Sequence, residues 1–334
     1  MPVGKANVGG AGGPDDEFQL VVPCLTTIDE RAIRDHLSND RFFWLDLSSP
    51  TAQELAQLAK IFSFHPLALE DTEQFGQRPK LDDYDDYVFM VYYGASDHEP
   101  TGGTPLREVH LFISGHYLVT VHREPLPPLD DQREHLTGRA LHSEQFLLYR
   151  IFDALADSFF PILSDFDDEI DELEAAILAD PKDRQLERLF VLKRELVLMR
   201  KIITPQRDLF VRSIDQIGHI PGLQVDERDY FRDVYDHLIR ISDLIDSYRD
   251  LLSGATDLYL STVSNRQNDV MKQLTVIATV FLPLSFITGF FGQNFRVMVD
   301  NLISPTWTFW AIGVGSMVVT VLCLIVFFRR KRWI

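Results

Sequence analysis

The sequence predicts an α+β membrane protein: an N-terminal cytoplasmic α/β domain, a long helical stalk and two C-terminal transmembrane helices. Two uncharged runs, 273–295 and 301–328, are each long enough to span a bilayer. Almost all charge lies ahead of them, because residues 1–272 carry 27 basic and 49 acidic groups, a net of −22. From Ser143 up to the first span, helical spacing continues almost without a break.

Residues 1–16 are Gly-rich and polar, so they read as disordered, and no signal peptide is visible. Within the α/β domain, 17–140, the Val-, Phe- and Tyr-rich runs 18–22, 42–47, 87–93, 109–113 and 117–121 predict strands. Helical spacing over 28–38 and 52–61 predicts helices between them, with Thr27 and Ser49 as capping residues. The stalk, 141–272, opens with a helix over 143–178 that turns at Asp180-Pro181. A second helix returns over 183–217, where Pro205 is expected to end or kink it. The third begins near Asp226 and meets no convincing stop before Phe291, with Pro283 as a kink candidate. At 1.5 Å per residue it is about 99 Å long and runs on into the pore domain, 273–334. Along it Phe231, Tyr235, Leu238, Ile241, Ile245, Tyr248, Leu252, Ala255 and Tyr259 alternate by three and four. Such a period needs partner helices. The other two stalk helices could supply them, but symmetry-related stalks explain the length better.

Charge and cysteines exclude several classes. A net of −22 is the wrong sign for binding nucleic acid, and it suits either a solvated surface or one that attracts cations. Cys24 and Cys323 lie in different parts of the chain, and no CxxC or His/Cys cluster suggests a structural zinc site. The basic cluster 329–332 places the end of the second span inside, and two spans return the chain to its starting side. Both termini are therefore expected in the cytoplasm, with Trp307 and Trp310 at the outer interface and Trp333 at the inner one.

The third helix carries another stripe of different chemistry. Asp257, Ser261, Ser264, Asn268, Met271, Thr275, Ala278, Leu282, Ser285, Gly289 and Gly292 also step by four and three. Lipid-facing positions have no reason to be polar, whereas a shared aqueous axis does. Tight packing through small residues gives a similar bias. Asn268 and Asp257, which fall below the membrane, favour the axis. Met271 and Leu274 would then be apolar constrictions on the cytoplasmic side and Leu282 another midway, since narrow apolar rings gate by excluding water.

The stripe ends in Phe290-Phe291-Gly292-Gln293-Asn294-Phe295, set between the two spans. A Gly-x-Asn at that place resembles the CorA family of divalent-cation channels, whose motif is most often Tyr-Gly-Met-Asn. The segment 65–71, His-Pro-Leu-Ala-Leu-Glu-Asp, followed by Gln77-Arg78-Pro79-Lys80, resembles that family's soluble-domain signature and extends the likeness over most of the chain. The resemblance implies a funnel-shaped homopentamer in the cell's inner (plasma) membrane that takes up Mg²⁺, and also Co²⁺ or Ni²⁺, gated by intracellular Mg²⁺. It assigns the selectivity filter to Gly292, Gln293 and Asn294, where Asn294 would hold an ion with its waters on, and Gly292 would free the backbone to end the helix. The pore and gate would be Asn268, Met271, Leu274, Thr275, Leu282 and Ser285. Regulatory Mg²⁺ would bind between subunits at Asp233, in 230–236, with Asp97 as partner and Asp257 as a further metal candidate. Two departures stand out: Gln293 replaces Met, and Arg296 precedes Asp300 at the outer mouth, which weakens the usual acidic funnel.

Three other functions compete. A zinc transporter of the same superfamily would fit the altered loop. A membrane-anchored metal sensor would not need Thr275 or Ser285 in its anchor. An enzyme lacks support, since there is no Gly-rich phosphate loop, no plausible Ser/His/Asp order and no HExxH. The acidic run Asp165, Asp167, Asp168, Glu169, Asp171 and Glu172, and the run Asp82, Asp83, Asp85 and Asp86, read as sensor candidates or as solvated faces.

Overall fold

The computed structural model of the chain describes residues 20–96, 105–136, 140–141, 143–217, 228–293, 296 and 306–331. The chain divides into two compact units, one of residues 1–174 and 184–255, the other of residues 175–183 and 256–334.

The first unit is built on a six-stranded sheet in the order β2-β3-β7-β6-β5-β4. Its strands are β2 (Cys24–Leu25), β3 (Phe43–Ser48), β4 (Lys80–Tyr84), β5 (Tyr87–Ala95), β6 (Leu106–Ile113) and β7 (Tyr117–His122). β2, β3 and β7 run parallel, while β7, β6, β5 and β4 pair antiparallel. Every residue of β5 and β7 is buried, which is why these strands read as near-continuous apolar runs instead of alternating. β1 (Leu20–Val21) pairs separately with β8 (Ala140–Leu141). Helices α1 (Glu30–Ser38), α2 (Ala52–Phe62), α3 (Pro66–Gln74) and α4 (Pro127–Leu136) complete this part.

The helix starts differ from those expected. Asp29 caps α1 by accepting from the Arg31 and Ala32 N–H groups, and Thr51 caps α2 in a reciprocal box with Glu54. Thr27 and Ser49 lie just upstream of them. β4 and α3 were absent from the predicted elements. β4 has the composition of a loop, and only its pairing with β5 makes it a strand.

The predicted helix over 143–178 is two helices, α5 (Glu144–Asp157) and α6 (Phe159–Ala179). Ser158 marks the break: its hydroxyl accepts from the Ala95 N–H at 2.7 Å and donates to the Leu155 carbonyl at 2.6 Å. The sheet thus recruits a side chain that would otherwise sit inside a helix. β5 and α5 approach so closely that a Cβ on Gly94 would lie 2.7 Å from Leu155 Cδ2. α7 (Asp183–Ile217) continues through Pro205 and does not end there. It docks on β5 through Gln206, whose side chain accepts from the Tyr93 N–H and donates to the Tyr93 carbonyl, at 2.8 and 3.1 Å.

α8 (Arg228–Phe291) is a single 64-residue helix with Pro283 inside it. Phe231, Val234, Leu238, Ile241, Ile245, Tyr248, Leu252, Ala255 and Tyr259 are its buried stripe. This is the predicted period with Val234 in place of Tyr235, which is half-buried. In the second unit, Tyr259 donates to Asp183 at 3.0 Å, and Arg266 pairs with Asp180 at the α6–α7 turn. The last helical stretch comprises one turn at Thr306–Thr308, a π-helical segment Phe309–Val314 and the helix Gly315–Arg330.

Candidate cation pathway and metal centre

Among the described residues, two helices are long and apolar enough to cross a membrane: the C-terminal part of α8 and the stretch Phe309–Arg330. The apolar window of α8 is buried nowhere within the single chain, and Leu282 and Phe286 are 74 and 72 % exposed. That much bare apolar surface needs lipid or further copies around it.

Each residue of the small and polar stripe, from Asp257 through Asn268, Met271, Leu274's neighbour Thr275, Leu282 and Ser285 to Gly292, is exposed in the single chain. Leu274 is exposed as well, at 59 %. The Thr275 hydroxyl donates to the Met271 carbonyl at 2.8 Å, so its donor is satisfied inside the helix. Its polarity is therefore weaker evidence for an aqueous axis than the sequence implies.

At the helix end the role of Gly292 differs from the expected one. Its N–H bonds the Thr288 carbonyl at 2.9 Å, and its φ is not in the left-handed region, where Gly76 is the one glycine among the described residues. A Cβ at Gly292 would lie 3.1 Å from the Thr288 carbonyl oxygen. Close approach, and not a left-handed turn, is what favours glycine there. Gln293 is exposed, with its N–H on the Phe290 carbonyl at 3.3 Å, and Arg296 is exposed. Asn294, Asp300 and Asp97 lie outside the described residues, as does Trp333; Trp307 and Trp310 are 66 and 65 % exposed.

The candidate metal centre includes residues that the sequence reading did not single out. Asp153 and Asp157 of α5 and His237 of α8 each present a ligand atom, all within 4.8 Å of one another. His237 Nδ1 lies 3.0 Å from Asp157 Oδ1 and 3.3 Å from Asp153 Oδ1. Nδ1 of His237 and Oδ1 of Asp153 are nevertheless buried without a hydrogen bond, because their mutual orientation does not suit one. Asp233 lies on the other side of the imidazole, with Oδ1 3.9 Å from His237 Nε2 and Oδ2 accepting from the Tyr149 hydroxyl at 3.4 Å. Burial, then the charges of Asp153 and Asp233, push Tyr149 up to about 12, so it stays a neutral donor. Asp257 is exposed and does not belong to this group.

Asp153, Asp157 and His237 were not among the candidates that the sequence offered, while Asp233, which was, lies beside them. The available signal was the spacing: Asp153 and Asp157, like Asp233 and His237, stand four apart and so share a helix face. Elsewhere the acidic run of α6 is mostly exposed, with Glu169 held by Arg188, and Asp82 is paired with Lys80. The segment around residues 65–80 is a structural clip. Asp71 and Lys80 pair at 2.6 Å, and Glu108 accepts the Gly76 and Gln77 N–H groups at 2.5 and 3.0 Å.

The model of the CorA-like Mg²⁺ transporter protein family matches residues 39–330. The chain belongs to that family. A cobalt/magnesium transport protein CorA of Thermotoga maritima is 35 % identical over 300 residues, covering 87 % of this chain and 83 % of the relative. The solved CorA magnesium transporter of Methanocaldococcus jannaschii superposes with a TM-score of 0.73 at 25 % identity, over 87 % of this chain and 91 % of that one. A zinc transport protein, ZntB, of Yersinia enterocolitica is 23 % identical over 258 residues, 77 % of each chain.

In this CorA-family chain, the surroundings of Asp153 shift its carboxyl. Burial first, then the Asp157 charge, raises the Asp153 carboxyl above its ordinary value, while His237 pulls it partly back. The folded chain thus holds that proton more tightly than the unfolded one. The contribution favours folding below the unfolded value and is lost as pH rises through the raised value. Carboxylates this close repel wherever they are ionised, and a divalent cation between them would turn that repulsion into attraction. Asp153→Asn is expected to raise the melting temperature in chelator and to remove most of the increase that Mg²⁺ or Co²⁺ gives the parent. Calorimetry with and without chelator checks both. A parent-sized cation increase in the variant would show that ions bind elsewhere.

Proposed function

We propose that the chain takes up divalent cations, Mg²⁺ first and Co²⁺ or Ni²⁺ as well, through a pore lined by the small and polar face of α8 in a homopentamer. The observation that carries this reading is that face itself: exposed from Asp257 to Gly292 in a helix continuous with a membrane-length apolar span. Membership of the CorA family supports the substrate class. Asn294 serves as the filter, holding a hydrated ion that sheds water reluctantly. Met271, Leu274 and Leu282 close the path by excluding water. The protein sits in the inner (plasma) membrane with both termini in the cytoplasm, where 329–332 holds the end of the second span.

Intracellular cations regulate the pore at the Asp153–Asp157–His237–Asp233 group, with Asp97 of a neighbouring copy as the partner proposed for Asp233. Carboxylates suit Mg²⁺, and the imidazole adds affinity for Co²⁺ or Ni²⁺. A zinc-transporting reading draws on Gln293, on Arg296 at the outer mouth and on the likeness to ZntB.

The path is tested by cysteine modification. Ser285→Cys, treated with a charged thiol reagent, is expected to lose Mg²⁺ uptake, whereas Phe286→Cys on the adjoining face keeps it. Cys323 is first changed to Ser. Cys24 can stay, because burial, reinforced by Asp46, pushes its thiol up to about 12 and leaves little thiolate to react. Block at Phe286→Cys with none at Ser285→Cys would place the path elsewhere.

A further inference from the structure

The first unit contains a cleft of about 990 Å³ between the sheet and helices α7 and α8, to which cation transport assigns no task. In a chain of net charge −18, its lining is basic: Arg78, Arg107, Arg123, Arg200, Lys201 and Arg249 line it with only two carboxylates, Glu108 and Glu124. Much of the negative charge is already committed. Glu124 pairs with Arg107 at 2.8 Å. Glu108 is raised by burial but held below the usual carboxylate range by His110 and the Gly76 and Gln77 N–H groups. Arg200 and Arg249 share a single carboxylate, Asp246, at 2.9 Å each, and Arg249 Nε is buried without a hydrogen bond. Arg78 and Lys201 make no salt bridge among the described residues, and both are exposed.

We infer that this cleft binds a nucleotide, its phosphates held by Arg78, Lys201 and the Arg200–Arg249 pair. Surplus fixed cations in a concave wall are the electrostatic requirement for a polyanion, and arginine forks suit phosphate oxygens. The remainder of the wall suits the organic part. Leu106, Val197, Leu198 and Ile202 give it an apolar side, and Phe75 and Tyr93 give it aromatic rings. Phe75 is held in place, stacked on His110 at 4.5 Å and carrying the Arg123 guanidinium 4.6 Å above its centroid. Pro205 lacks an N–H, so the Lys201 carbonyl forms no helical bond to it. The volume is at the upper end of ordinary small-molecule sites, enough for a nucleotide with its waters. Bare phosphate would leave the apolar and aromatic walls unused.

The test is titration calorimetry on the full-length protein in detergent, with Mg²⁺ in excess so that nucleotide does not strip the protein's cations. The probes are ATP, AMP and inorganic pyrophosphate. ATP is expected to bind saturably and more tightly than either of the others. Its affinity should fall at least about tenfold in the Arg78→Gln/Lys201→Gln double variant, roughly the loss of one good charged contact. Both positions are exposed and unbridged, so the variant should keep the parent's melting temperature and Mg²⁺ uptake. Absence of ATP binding, equal binding of pyrophosphate, or unchanged ATP affinity in the double variant would each overturn the assignment.

Discussion

Asn294→Ala is expected to cut Mg²⁺ flux by at least about a hundredfold while leaving the protein folded and assembled. In the proposed ring of five copies, each amide holds ion-bound water at the filter. A net loss of about 1 kcal/mol per hydrogen bond, set against about 1.4 kcal/mol per tenfold in rate, makes a loss of this size conservative. Gln293→Met, which restores the commoner family residue, should leave flux near the parent's, since the middle side chain is expected to point away from the axis. Size-exclusion profiles and far-ultraviolet circular dichroism separate a filter defect from a folding defect. Parent-level flux through Asn294→Ala would remove Asn294 from the filter.

The second large effect lies at the α5–α8 metal group. Asp233→Lys is expected to keep the pore open at internal Mg²⁺ concentrations that close the parent, and to abolish Mg²⁺-dependent protection of the soluble domain from protease. Asp233 stands beside His237 and Tyr149, with Asp153 and Asp157 on the facing helix. A lysine ammonium there can offset some carboxylate charge but cannot coordinate several oxygens, nor bridge to a neighbouring copy. A cation present at about a hundred times its dissociation constant stabilises the state that binds it by about 2.7 kcal/mol. Losing that shifts the closed-to-open ratio about a hundredfold. If Asp233→Lys retains both closure and protection, regulation sits elsewhere, and the exposed acidic face of α6 becomes the next site to vary.

Much of the architecture could be read from the sequence because it follows from local pattern. The uncharged runs, the extent of α7 and the length of α8 need only composition and spacing. What could not be read depends on contacts between distant segments. β4 is a strand because β5 lies beside it, and the break at Ser158 exists because the Ala95 N–H needs an acceptor. Val234, and not Tyr235, faces inward, and with it the buried stripe alternates by three and four without a break, as a seam against partner helices requires. The metal group shows the same limit. Each Asp-x-x-x-Asp or Asp-x-x-x-His pair is visible on its own helix, but nothing local says that Asp153 and Asp157 of α5 meet His237 of α8. Gly292 shows another kind of limit. The residue type predicted a special role, yet only coordinates distinguish a left-handed turn from close approach to the Thr288 carbonyl.

In the proposed mode of action, this chain alone forms the path for divalent cations. Purified protein in sealed liposomes loaded with a Mg²⁺-sensitive dye tests it directly, with Asn294→Ala protein at equal density as the matched control. External Mg²⁺ is predicted to enter parent liposomes far faster than the control, and faster than Zn²⁺ enters. Parent flux no faster than that of Asn294→Ala or of protein-free liposomes would contradict it.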